Sequence, residues 1–302
     1  MNPIVECIPN FSEGRRIEVI EAIESALSSV DGIWILDRHM DPDHNRSVIT
    51  LVGHPDSLAE SIVGAVRVAS ERIDLRLHEG EHPRTGATDV IPLVPLRNIS
   101  MDECARLAWQ VGARIAEELA IPIYFYGSAA RSSHRKNLEW IRKIGFEQLS
   151  QEIKLRKELH PDLWSPALHA TAGATFIGAR PVLIAFNVNL DSDNLELARK
   201  IASNIRESGG GLPGVKALGL VMNKTHTVQV SMNLCDFEQT GIGTAFEAVR
   251  RMAEDLGVSI LSSELVGLVS EAAVESVDLR SLQLEGFNTQ NILEHRLASV
   301  YP

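Results

Sequence analysis

Residues 180–190 read RPVLIAFNVNL, and the way this stretch is divided decides the fold. Its β-branched and apolar residues, bounded by Pro181 and Asp191, read as a strand that opens a new series of elements. Asp191 or Asp193 can cap a helix over 194–207, and VKALGLVM (215–222) and TVQVSMNL (227–234) supply two more strands. A helix at about 242–256 and the strand VSILSSELVG (258–267) complete the order βαββαβ. The first half has the same order. IVECI (4–8) reads as a buried strand, and the helix from Arg16 carries Ile20, Ile23 and Leu27 at helical spacing. GIWILD (32–37) and RSVITLVG (46–53) are strands, and a helix follows from about Asp56 to Arg72. In the next strand, DVIPLVPL (89–96), the prolines point to a sheet edge or an early ending. Ser100 and Glu103 form a capping box for the helix MDECARLAWQVGARIAEEL, and IPIYFYG (121–127) is the strand after it. The expected fold class is α/β (α+β): two βαββαβ ferredoxin-like subdomains packed together with helices on the outside. They would span residues 1–180 and 181–302, joined by a segment, 128–175, that is helical at first and then loop-like.

A chain of 302 residues suits two cores better than one. Its 44% hydrophobic and 23% charged residues are those of an ordinary globular protein. A net charge of −11 argues against general nucleic-acid binding. It leaves room for a local basic groove that holds an acidic small molecule. Such a stretch exists between Arg131 and Lys157, where eight Lys or Arg face three Glu; it can equally be a solvated helix face. Cys7, Cys104 and Cys235 are far apart and form no C-x-x-C pair, which predicts reduced core residues in a cytoplasmic protein. The opening MNPIVECIPNF lacks a basic region leading into an apolar one, so secretion is not expected. No apolar run reaches the length of about 18 residues that suggests a membrane span. ATFIGARPVLIAFNVNL comes nearest and is broken by Arg180 and Pro181.

Four motifs carry polar chemistry. HEGEH (78–82) matches the H-E-x-x-H zinc pattern, which needs both histidines on one helical face. Pro83 pushes His82 out of the helical region and Gly80 weakens any helix, so no metal is expected. GGGLPG (209–214) has the spacing of a dinucleotide fingerprint but follows a helix and enters a strand, the reverse of the required context; it reads as a helix end and a turn. DRHMDPDHNRSV (37–48) crowds Asp41, His44 and Arg46 into a loop between strands, either as a polar active-site loop or as a plain turn. PNFSEG (9–14) places Asn10 and Ser12 before a helix, where they serve as caps or favour an anion. The richest stretch is HPRTGATDV (82–90), with a histidine and an arginine two residues apart on a proline- and glycine-bearing loop. An imidazole with a pKa near about 6.5 can take and return a proton at neutral pH. A surface histidine with no such role is the alternative.

Taken together, VECIPNFSEG, NRSVITLVG, GEHPRTGATDVIPLVP, YFYGSAA, LIAFNVNL, QVSMNL and SELVGLV resemble the formiminotransferase domain family, in order from Val5 to about Val269. The resemblance implies transfer of a formimino group from N-formimino-L-glutamate to N5 of tetrahydrofolate, in histidine breakdown. It also implies a homodimer, with tetrahydrofolate as co-substrate held in a cleft between two subdomains; the chemistry needs no metal, and charge and hydropathy give no nucleic-acid or membrane partner. With a chain ending at Pro302 the expectation is a transferase without a cyclodeaminase half. The family's catalytic histidine falls on His82, in the same GEHPR setting. Its folate-contacting segment falls on Trp164, Ser165, Pro166, Ala167, Leu168, His169, Ala170, Thr171, Ala172 and Gly173, where the distribution of glycine and proline departs from the family's.

The chemistry then expected is attack of N5 on the amidine carbon, with His82 taking the proton from N5 and delivering one to the glutamate nitrogen. Asp41 would stabilise the cationic amidinium as a second catalytic group, Asn10 would orient it, and Arg46 or Arg84 would clamp substrate carboxylates. Formyl transfer between 5-formyltetrahydrofolate and glutamate is the alternative reaction. A folate-binding module without turnover is the alternative of another class.

Overall fold

The computed structural model describes residues 2–80, 83–222, 225–275 and 277–301. The chain divides into two compact units, one up to Arg180 and one from Pro181.

The first unit begins with β1 (Ile4–Cys7), β2 (Asn10–Phe11) and α1 (Ile17–Ser28). β3 (Ile33–Asp41), β4 (Arg46–Gly53) and α2 (Pro55–Arg72) follow, then β5 (Thr88–Arg97), α3 (Met101–Leu119) and β6 (Ile123–Gly127). Two short helices, α4 (Glu139–Arg142) and α5 (Gly145–Glu152), and β7 (Thr175–Ala179) end it. These strands form one seven-stranded sheet. β3 pairs with β4, β4 with β1 and β2, and those with β5, all antiparallel. That is the ferredoxin-like order of four strands, with the first broken at Ile8 and Pro9 into β1 and β2. β7 then adds to β5 and β6 to β7, both parallel.

One expectation changes here, and one strand is new. The β5 prolines do not mark an edge: β5 is interior, paired with β1 and β2 on one side and β7 on the other. Pro95 lies beyond the last residue paired with β7, and the β1 register shifts opposite it, which accommodates the missing N–H. And β7 is a strand of the first unit, separate from the strand that opens the second, because Arg180 and Pro181 interrupt the apolar run.

Alternation along the central strands feeds two cores. Ile91, Phe125 and Ile177 point into the core under α1, α2 and α3, whereas Val90, Tyr124 and Phe176 point to the opposite face, where Leu149 and Ile153 cover them. The capping box of α3 is present, with the Ser100 side chain accepting from Glu103 N–H.

In the second unit β8 (Ile184–Leu190), α6 (Leu195–Ile205), β9 (Val215–Met222), β10 (Thr227–Leu234), α7 (Ile242–Asp255) and β11 (Ile260–Val266) form a four-stranded antiparallel sheet in the order β11-β8-β10-β9. This again is the ferredoxin-like order. Two short helices, α8 (Glu271–Val274) and α9 (Leu293–Val300), end the chain. Phe186, Val188, Val228 and Val230 pack with Ile201 and Phe246, so α6 and α7 cover one sheet face. Asn194, and neither Asp191 nor Asp193, caps α6, accepting from the N–H groups of Glu196 and Leu197. The glycines at 209–214 do form a helix end and turn, with Gly210 and Gly214 at φ of 84° and 68°. Cys7 and Cys104 are buried, but Cys235 is half-buried and not a core residue.

Candidate active site

The polar loops of the first unit converge on the turn between β3 and β4. β3 runs on to Asp41, so the loop expected over 37–48 shrinks to Pro42–Asn45; paired with β4, the backbone of Asp37 to Asp41 satisfies its hydrogen bonds by joining the sheet. Asn45 closes the turn in the left-handed region at φ 47°. Its side-chain oxygen accepts from Gly14 N–H at 2.9 Å, its Nδ2 donates to Glu79 O at 2.9 Å, and its own carbonyl accepts from His78 Nε2–H at 2.9 Å. Glycine is required where these segments meet: a Cβ on Gly14 would lie 2.2 Å from Asp41 O, and one on Gly80 2.4 Å from His44 O. His78 is thus a tether. Burial holds its pKa below the ordinary value, in keeping with a neutral ring that donates through Nε2.

Within the turn the carboxylate of Asp41 accepts from the His44 ring at 2.5 Å and from the N–H groups of Asp43 and His44 at 2.8 and 3.0 Å. Burial pushes the Asp41 pKa up, but these hydrogen bonds and the His44 imidazole outweigh it and bring it down to about 2. Asp41 is therefore a fixed negative charge at neutral pH. The bond also places a proton on His44 Nδ1.

A second cluster lies where β2, β4 and β5 run side by side. Asp89 is fully buried, and its Oδ2 accepts from Arg46 Nη1 at 3.0 Å and from Arg142 Nε and Nη2 at 3.0 and 2.7 Å. Its Oδ1 accepts from the N–H groups of Thr85 and Gly86 at 2.9 and 3.3 Å. Burial raises the Asp89 pKa, yet the two guanidiniums lower it further, and the net direction is down. Arg46 also donates to Asn10 Oδ1, at 2.7 Å from Nη2. Burial and the neighbouring Arg142 push its pKa down to about 10, so it keeps its charge at neutral pH. Sequence reasoning singled out Asn10 and Arg46 but missed Asp89 and Arg142. The available signal was an acid opening an otherwise apolar strand, which is rare unless the charge is paired.

Arg84 is placed differently from a free carboxylate clamp. Its guanidinium donates to both oxygens of Glu147, at 2.6 and 3.0 Å, and to the carbonyls of Leu75 and His78. Segment 164–173 is laced to the same loop: Leu75 N–H donates to Thr171 O, Ala87 N–H to Ala172 O, and Ala174 N–H to Thr85 O. Gly173 sits at φ 69° with Thr85 O only 2.0 Å from where a Cβ would be. His169 Nδ1 accepts from Ala172 N–H at 3.1 Å, which puts the ring proton on Nε2, and burial lowers its pKa. Trp164, at φ 78°, is 51% exposed; Ser165, Pro166 and Ala170 are exposed too, while Ala167 and Leu168 are half-buried and Ala172 is buried. His82 and Glu81 lie outside the described residues.

The basic segment 131–157 is partly neutralised. Arg135 pairs with Asp162 at 2.8 Å in buried surroundings, Arg142 with Asp89, and Arg156 with Glu152 and Glu158. No helix covers residues 73–80 or 83–87, so His78 is not on a helix. Among the described residues no three His, Cys, Asp or Glu are grouped to hold a metal ion.

Two α/β units of ferredoxin-like strand order, the first with Asp89, Arg46 and Arg142 clustered beside the loop 83–87, define the class as a two-unit α/β protein. The family described as formiminotransferase domain, N-terminal subdomain, matches residues 4–180, and the formiminotransferase domain matches residues 185–283. The chain is 47% identical over 296 residues to the glutamate formimidoyltransferase of Thermoplasma acidophilum, covering 97% of each. It is 44% identical over 298 residues to that of Streptococcus pyogenes serotype M1, covering 98% of this chain and 99% of the relative. The formimidoyltransferase-cyclodeaminase of Sus scrofa is 44% identical over 275 residues, which are 89% of this chain and 50% of the longer protein. The chain belongs to the formiminotransferase family.

Proposed function

We propose that the protein transfers the formimino group from N-formimino-L-glutamate to N5 of tetrahydrofolate, giving 5-formiminotetrahydrofolate and L-glutamate, in histidine degradation. The observation that carries this reading is the 47% identity, over 97% of both chains, to a glutamate formimidoyltransferase. In this reading the protein acts as a homodimer, as the family resemblance implies, and in the cytoplasm, in keeping with cysteines that form no C-x-x-C pair. Tetrahydrofolate is its co-substrate and the reaction proceeds without a metal.

His82 is the general acid–base group. It takes the proton that N5 loses on attacking the amidine carbon and returns one to the departing glutamate nitrogen, so no net proton is consumed. Asp41, ionised at neutral pH because hydrogen bonds hold its pKa at about 2, supplies the fixed negative charge suited to the amidinium. Asn10 orients the amidinium, and Arg46, held by Asn10 and Asp89, is the guanidinium for a substrate carboxylate. Arg84, engaged by Glu147 and two loop carbonyls, holds the loop in place. The segment Trp164 to Gly173 supplies folate contacts through its exposed residues, Trp164 to Pro166 and Ala170.

The test is an assay of purified protein with formiminoglutamate and tetrahydrofolate, watched for 5-formiminotetrahydrofolate, beside a second assay with 5-formyltetrahydrofolate and glutamate. Turnover in the first alone supports the reading. Turnover confined to the second replaces it with formyl transfer, and binding of tetrahydrofolate without turnover in either replaces it with a binding module.

A further inference from the structure

Asp89 has five hydrogen-bond donors and no solvent exposure, which is more than an ordinary strand residue needs. The donors come from three directions. Thr85 and Gly86 belong to the loop that follows His82, Arg46 begins β4, and Arg142 ends α4. Arg142 reaches the loop a second time, its Nη2 donating to Pro83 O at 3.4 Å. The backbone from Pro83 to Gly86 is therefore held from its carbonyl side by Arg142 and from its N–H side by Asp89.

We propose that Asp89 is a positioning residue: with Arg142 it fixes the Pro83–Gly86 backbone, and through it the placement of the catalytic loop, for the formimino transfer. The inference rests on the transfer reading given above. A buried carboxylate is costly to desolvate unless every oxygen is satisfied, and here that requirement is met by the loop itself. Loop geometry and charge pairing are consequently one arrangement: the loop leaves its place only if Asp89 loses two of its donors. A carboxylate between two guanidiniums resists such loss far more than a neutral side chain would.

The variants Asp89→Asn, Arg142→Ala and Arg142→Lys test this with three readouts. Asp89→Asn keeps one acceptor oxygen where Asp89 has two, so its NH₂ must face donors on one side, either the guanidiniums or the Thr85 and Gly86 N–H groups. Arg142→Ala leaves the Asp89–Arg46 pair in place and serves if Asp89→Asn does not fold. In folded variants kcat should drop by about ten- to a hundredfold, the scale of a small misplacement of reacting groups. KM for both substrates should change by less than about threefold in Arg142→Ala, which keeps the Asp89–Arg46 pair, because an equal loss in kcat and kcat/KM is the mark of an interaction needed only in the transition state. Amide hydrogen exchange across residues 83–87 should speed up in the same variants. Arg142→Lys keeps the charge but not the planar fork, and should stay nearer to Arg142→Ala than to the parent. Unchanged exchange across 83–87 overturns the inference, as does a kcat within twofold of the parent, a rise in KM at constant kcat in Arg142→Ala, or full recovery by lysine. An inert parent whose loop exchange still responds to Asp89→Asn instead overturns the transfer reading alone.

Discussion

At the scale of single residues, the proposed chemistry divides between a proton carrier and fixed charges. General acid–base groups contribute about 10² to 10⁴ in rate, whereas one neutral hydrogen bond is worth about 0.5–1.5 kcal/mol. His82→Ala should therefore lower kcat by at least about a hundredfold and change folate affinity by less than about tenfold. Steady-state kinetics beside a folate titration checks this, and a folded variant that keeps kcat within about tenfold of the parent removes His82 from the role. Asp41 makes a separate prediction on stability. Its pKa falls from the ordinary 3.8 to about 2, so its contribution is fully present above pH 4 and is lost as the pH falls through about 2. The linkage is worth about 2 kcal/mol. In urea titrations between pH 2 and 5, the parent should lose stability with acid more steeply than Asp41→Asn. Parallel curves would mean that the hydrogen bonds to Asp41 do not depress its pKa.

Elements put these side chains within reach. β2, β4 and β5 lie side by side, so Asn10 pairs with Val48 and Val90, and Arg46 at the start of β4 comes beside Asp89 on β5. The loop 83–87 and segment 164–173 are bound to each other by backbone bonds that leave no room for a Cβ at Gly173. Gly173→Ala adds a left-handed strain to a backbone clash and should cost at least about 2 kcal/mol. Calorimetry measures that loss, and folate affinity should fall with it because the segment is displaced. An alanine variant with parental Tm would show that the two strands of chain are free to separate.

On the scale of the whole molecule, an acidic protein of net charge −11 is proposed to bind an anionic co-substrate. The basic segment 131–157 keeps Arg131, Lys136, Lys143, Lys154 and Lys157 exposed, while Arg135, Arg142 and Arg156 are engaged in ion pairs. If the exposed cations attract folate tails, raising salt should weaken binding of polyglutamylated folate more than of the monoglutamate. Equal salt slopes for the two ligands would make the segment a solvated face.

Much of this architecture was legible from the chain. Period-two and period-3.6 patterns are local properties of a backbone, so β4, β9 and β10 coincide with the strands read from RSVITLVG, VKALGLVM and TVQVSMNL, and the α3 capping box is where Ser100 and Glu103 place it. The polar turn at 41–46 and the loop after His82 stood out in the chain as candidates for chemistry, since charged residues beside glycine and proline rarely serve a core. What belonged to tertiary structure alone was the partnership of distant charges. Asp89 meets Arg46 across 43 residues and Arg142 across 53, separations over which no periodicity carries information. The same reason hid β7 and the interior place of β5: a strand's neighbours are chosen by how the sheet closes over its core, and that choice is made only when the whole unit packs.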